Sequence, residues 1–173
     1  MIIAVDKLRG FVSTDIADEE LEARLSAIET AVRKYTNNHF NVRGTEREAE
    51  IREGRIVLPF PSFIEGDSIE ILSDAYRDKV FTVKSANGDS IEVDKPLRFD
   101  GFVRVALVEY PADVVMGAVD LMRWDISNRE KIGIKSESIS RWSVTYFDLD
   151  ANSLLGYPAS LLGFAKNHMR ARF

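Results

Sequence analysis

The chain has no cysteine among its 173 residues. That excludes a disulfide framework, a thiol nucleophile and any thiolate metal centre. Histidine is nearly as scarce: His39 and His168 are the only two. Neither has a ligand-spaced neighbour, and each reads as a surface or helix-cap residue. Long apolar runs are missing as well. ILSDAY is broken by Asp74, and VVMGAV and SLLGF are short, far from the roughly 18 residues of a membrane span. The opening MIIAVDKLRG lacks the basic start and long apolar centre of a secretory signal. HExxH, GxSxG, a Gly-rich phosphate loop and a dinucleotide fingerprint are all absent. The expectation is a soluble cytoplasmic protein, not an enzyme, without cofactor, metal or membrane contact.

The formal net charge is −5, and no long charge run accounts for it. This argues against broad nucleic-acid binding, which depends on phosphate neutralisation by lysine and arginine. The last eight residues, KNHMRARF, are the exception, with Lys166, Arg170 and Arg172 and no acidic side chain. A solvated helix end favoured by the macrodipole explains them first.

Periodicity supplies the elements. VDKLRG suits one helical turn ending at Gly10. Leu21, Leu25, Ile28, Val32 and Tyr35 recur on a 3.6-residue period and predict a long first helix. Asp18, Glu19, Glu20 and Glu22 sit at its start and Arg33 and Lys34 at its end, as the helix dipole prefers. Asn37 and Asn38 supply a turn or C-cap, with Phe40 expected to fold back on the stripe. From Ala49 to Tyr110, short alternating stretches separated by Gly and Pro predict strands, with Asn87-Gly88 as a hairpin signal. They predict a small antiparallel barrel or sandwich. Pro111 opens a further helix, with Val115, Ala118, Val119, Met122 and Ile126 on one side and Val114, Leu121 and Trp124 widening it. Pro158 is expected to start a third helix, with Leu161, Leu162, Ala165 and Met169 on its apolar face and Gly163 weakening it.

Between the last two helices lies KIGIKSESISRWSVTY, residues 131 to 146. It alternates with period two, and as one strand it would reach about 50 Å. One face would carry Ile132, Ile134, Ser136, Ser138, Ser140, Trp142, Val144 and Tyr146. The expected fold is therefore α+β: a small helical bundle of two long helices plus a C-terminal helix, with an inserted antiparallel β lobe and an extended C-terminal arm. Residues 1–45 and 111–130 form the helical core in this reading, 46–110 the inserted lobe, and 131–173 the arm and tail helix. A core that closes before residue 131 leaves the last part of the chain for a partner.

Three constellations test for chemistry. Asp148, Asp150 and Asn152 copy the start of a calcium loop, but Ser153 and Ala159 occupy the positions of its glycine and bidentate glutamate, so Asx turns explain them better. Lys135 and Ser136 fall on opposite faces of a strand, which defeats a lysine-activated serine. Glu46, Glu48, Glu50 and Glu53 interleave with Arg43, Arg47, Arg52 and Arg55, the pattern of a solvated or ion-paired surface.

The order of parts resembles the head–tail connector proteins, also called adaptors or head-completion proteins, of tailed bacteriophages and prophages. The likeness is carried by EELEARLSAIETAVRKYTNNHF, then YPADVVMGAVDLM, then GIKSESISRWSVTY, and GYP before a last helix. It covers about two thirds of the chain in separate pieces. The resemblance implies a non-enzymatic virion structural protein at the head–tail interface, assembled in the bacterial host cytoplasm. It implies a dodecameric ring under the portal protein that extends the DNA conduit and docks a downstream head-completion (stopper) or tail protein. The isolated chain is free to stay monomeric until a portal templates the ring, and DNA passes the lumen without specific binding. By position, Ile132, Gly133, Ile134, Trp142, Val144 and Tyr146 become an inter-subunit arm. Tyr157, Leu161, Leu162, Phe164, Lys166, Arg170, Arg172 and Phe173 become a portal-contacting tail. The β insertion departs from the smallest members of the family. The alternative is a DNA-binding or packaging accessory protein that uses the basic C-terminal helix.

Overall fold

Alternation of apolar and polar residues between Arg47 and Leu107 builds six strands: β1 Arg47–Arg52, β2 Arg55–Val57, β3 Ser68–Ile71, β4 Val80–Asn87, β5 Ser90–Val93 and β6 Gly101–Leu107. They were located in a computed structural model that describes residues 1–60, 62–128, 136–139, 142–145 and 153–171. All six pair antiparallel in the closed order β1-β2-β5-β4-β3-β6. Strand β6 completes the ring by pairing with β1 (Ala49 opposite Val103) on one side and β3 (Ile71 opposite Val105) on the other. Closure leaves the barrel no open edge.

The pleat puts Ala49, Ile51, Ile56, Ile69, Ile71, Phe81, Val83, Ile91 and Val105 into one interior core. Phe81 meets Tyr76 edge-on at 5.7 Å. Tyr76 also ties down the β5–β6 connection, its hydroxyl accepting from the amides of Arg98 (2.9 Å) and Phe99 (3.1 Å). The β4–β5 hairpin pairs Asn87 with Ser90. Its two loop residues are therefore Gly88 and Asp89, one position beyond the expected Asn-Gly, with the positive φ on Gly88 as a type II′ turn requires. Phe40 is buried, its ring tilted against Tyr110 at 4.9 Å between centroids.

The chain divides into two units. One comprises Asn38–Tyr110 with Met1, and holds the barrel. The other comprises Ile2–Asn37 and Pro111–Phe173. The second unit contains α1 (Val5–Arg9), α2 (Asp18–Thr36) and α3 (Ala112–Asn128). In α2, Leu21, Leu25, Ile28 and Val32 are buried as the period demands, and Asn37 caps the helix in the left-handed conformation (φ 49°). In α3, Val114, Ala118, Val119, Leu121 and Met122 are buried, and Asp125 is buried with them. Two ribbons follow: β7 (Ser136–Ile139) with β8 (Trp142–Thr145), and β9 (Ser153–Leu154) with β10 (Tyr157–Pro158). The described chain then runs through a 3-10 helix, Ala159–His168.

Three parts of the expected fold are corrected. The β segment is not a small lobe on a helical bundle but a large closed barrel with its own core. Local periodicity shows strands but not which strand closes the ring; the β1–β6 pairing joins residues fifty or more positions apart. The C-terminal helix is 3-10 rather than α, an unusually long run for that geometry. The extended arm is not one strand: β7 and β8 pair antiparallel, Ser136 opposite Thr145 and Ile139 opposite Trp142. Positions 142 and 144, aligned with 136 and 138 on a single strand, stand opposite 139 and 137 instead.

Ile56 is fully buried in the barrel core. Replacing it with alanine is expected to destabilise the barrel by about 2–5 kcal/mol, measured as a lower denaturant midpoint at unchanged slope.

Candidate functional site

The C-terminal segment is built into the helical unit. Leu162 and Ala165 of the 3-10 helix are buried, as is Tyr157 just before it. Phe164 lies flat on α3 at Gly117, where an added Cβ would fall 2.3 Å from the ring. Glycine is thus required there by close approach, not by backbone conformation. The tail is also held at its far end: the Arg170 amide donates to Thr36 O (2.8 Å), and Asn37 Nδ2 donates to Ala171 O (3.0 Å). The same Asn37 that caps α2 therefore anchors the tail.

Two polar contacts fasten this segment to α3. Asp125 is 1% exposed, accepting from the Tyr157 hydroxyl (3.3 Å) and from Arg24 Nη1 on α2 (3.4 Å). Arg24 also pairs with Glu20, one turn earlier on α2. Beside them Ala23 and Ala27 leave a cavity of about 320 Å³, lined by Glu20, Arg24, Asp125 and Tyr157. Trp124 packs edge-on to Tyr157 at 5.5 Å. Nearer the start of α3, His168 Nε2 lies 2.7 Å from Asp113 Oδ2. The hydrogen bond from His168 holds the half-exposed Asp113 carboxyl below its ordinary range.

The residues expected to face a partner fall into three groups. Tyr157 and Leu162 are buried within the helical unit; Leu161 and Phe164 are half-buried; Lys166 and Arg170 are exposed. Of the expected arm, Trp142 and Val144 occupy positions on β8. Ile132, Gly133, Ile134, Tyr146, Arg172 and Phe173 lie outside the described residues, as do Lys135, Asp148, Asp150 and Asn152. Among the described residues, β7 and β8 pair only with each other.

In the barrel unit, His39 is a surface residue as expected, and its Nδ1 lies 2.8 Å from Oε1 of buried Glu70. A cavity of about 420 Å³ adjoins this pair and reaches Ser73, Asp74, Arg77 and Asp78. The arginine–glutamate interleave around β1 is ion-paired: Arg52 with Glu50 (2.7 Å), Arg104 with Glu46 (3.1 Å) and Arg55 with Glu92. No cluster of three or more His, Asp or Glu suited to a metal exists among the described residues. No described helix is long and apolar enough to cross a membrane.

The pairs Asp125–Tyr157, Asp113–His168 and His39–Glu70 were not expected from sequence. A polar residue at a buried helical position, as Asp125 is between Leu121 and Met122 and the next turn, is the one signal that could have disclosed them. Compared with known proteins, the chain matches no protein-family model, and no curated protein matches it.

Two outcomes are expected here. Gly117→Ala forces the Phe164 ring off α3 at a cost of about 1–3 kcal/mol, read as faster amide exchange across 159–168. Asp113 has a depressed folded-state pKa, so its contact with His168 is stabilising above the ordinary carboxylate range and is lost as pH falls through the depressed value. Acidification should therefore loosen the 3-10 helix in wild type, and Asp113→Asn should remove that acid-range step.

Proposed function

We propose that this chain is a non-enzymatic virion structural protein of the head–tail connector class. It would form a ring under a portal, extend the DNA conduit and dock the next head-completion or tail protein at the head–tail interface. The observation that carries this reading is the β7–β8 ribbon. It lies where the resemblance places an inter-subunit arm, and its two four-residue strands pair only with each other among the described residues. An isolated two-stranded hairpin is marginal in water, and its outer backbone groups suit completion by a neighbouring chain. A closed ring requires a head-to-tail contact of this sort.

The chemistry of the conduit is compatible with the charge. DNA must slide through such a lumen without being gripped, and a chain with net charge −5 does not supply the phosphate-neutralising surface that would hold it. The DNA-binding alternative has exposed Lys166 and Arg170 to draw on. Two cations give shallow salt dependence and weak affinity, so the connector reading is preferred.

Tyr157, Leu162 and Ala165 are buried within the helical unit. Removing everything after residue 130 would strip the α2–α3 core as well as the arm. The informative variant replaces only 136–145 with a Gly/Ser linker of equal length. It should keep the wild-type circular dichroism spectrum and lose co-assembly with the portal protein of the same virus, scored by electron microscopy of the complex. Rings of unchanged yield with the linker variant would rule the arm out.

A further inference from the structure

The tip of the β4–β5 hairpin holds a reactive pair that neither the fold nor the connector reading uses. Asn87 ends β4, and Gly88 and Asp89 make the loop. All three are exposed. Among the described residues the Asn87 side chain makes no hydrogen bond, and neither does the Gly88 amide. Nothing lies within 4 Å of where a Gly88 Cβ would stand, so the nitrogen is open on that side.

The other described asparagines differ. Asn37 Nδ2 donates to Ala171 O (3.0 Å), Asn128 Nδ2 donates to Trp124 O (3.0 Å), and Asn38 Oδ1 accepts from the Phe40 amide (2.9 Å). Asn41 and Asn167 precede Val42 and His168, whose side chains crowd the following nitrogen. Only Asn87 among them is exposed, unbonded through its side chain and followed by glycine. Asparagine is a thermolabile side chain, and ring closure onto the next nitrogen is intramolecular, which raises the effective concentration. Glycine helps twice: no Cβ shields its nitrogen, and it holds the positive φ of the turn (60°) without strain.

We propose that Asn87 is a self-modification site, at which the β4–β5 turn deamidates through a cyclic imide with water as the co-reactant. The Gly88 nitrogen attacks Asn87 Cγ and forms an N–Cγ bond. The Cγ–Nδ2 bond breaks, and ammonia leaves with the proton that the Gly88 amide gives up. Water then opens the ring. Addition at Cγ restores the main chain and leaves aspartate. Addition at the main-chain carbonyl carbon routes the backbone through Cγ and leaves isoaspartate, one methylene longer. Nothing is oxidised or reduced. Either product adds one negative charge to a chain whose formal net charge is −5. Isoaspartate also lengthens the strand next to Ala86, which stands opposite buried Ile91, and so strains the register. Asn87–Ser90 is the last rung of the ladder, so the rotation that brings Gly88 N to Cγ needs only local opening. The reaction does not depend on the connector reading, since the turn belongs wholly to the barrel.

Incubating the folded full chain for weeks at about 37 °C and mapping its peptides by mass spectrometry tests the proposal. Residue 87 should gain about 1 Da, the change from NH2 to OH, and part of the product should be isoaspartate. Asn37 and Asn38 should stay unchanged over the same time. Because only the end rung opens, the folded chain should react within about tenfold of the rate in urea. Gly88→Ala should slow the reaction at least about fivefold by shielding the nitrogen. Asn87→Gln keeps an amide at the turn but needs a six-membered ring, and should abolish the gain there. Circular dichroism confirms that each variant folds. No gain at residue 87, a folded rate more than about tenfold below the rate in urea, or a rate unchanged by Gly88→Ala would each overturn the proposal.

Discussion

The structure of the barrel depends on every strand having two partners, and β6 supplies the pairing between its two ends. Strand β6 pairs with β1 along Gly101–Val105 and with β3 along Val105–Leu107, and without it the sheet would have two open edges. The open edges of such a five-stranded sheet are a template for aggregation; closure pairs the same backbone groups with one another. Closure also sets the surface. With Val103, Val105 and Leu107 committed to the interior, a period of two leaves Phe102 and Arg104 no other side to occupy.

The helical unit is governed by close approach instead. Gly117 lets the Phe164 ring rest on the α3 backbone, and around that contact Leu162, Ala165 and Tyr157 are buried. Asp125 and Asp113 then give the segment polar attachments from one helix, while Thr36 and Asn37 hold it from the end of another. Tyr157, Leu162 and Ala165 therefore belong to the core of their unit. The β7–β8 ribbon differs in that its strands have no pairing partner beyond each other among the described residues.

Much of the fold was legible in residues. The α2 stripe could be read directly because Leu21, Leu25, Ile28 and Val32 obey one period, and the strands of the barrel because Gly and Pro punctuate short alternating runs. Barrel closure was not legible, since nothing local records that Ala49 meets Val103. The arm failed for a different reason. A period-two pattern does not record where one strand ends and its partner begins, so SESI and WSVT read equally as parts of one strand or as two. The packing of the tail was not legible because Gly117, which admits the Phe164 ring, lies on another element far away in sequence. The polar pairs were hidden because each joins residues more than thirty positions apart.

The central claim is that the ribbon at 136–145 is completed by another chain. Amide hydrogen exchange across 136–145, compared between the isolated protein and the portal-bound assembly, tests it most directly. A marginal two-stranded ribbon should exchange within seconds in the isolated chain and become strongly protected in the assembly. Strong protection in the isolated chain, unchanged on assembly, would contradict it.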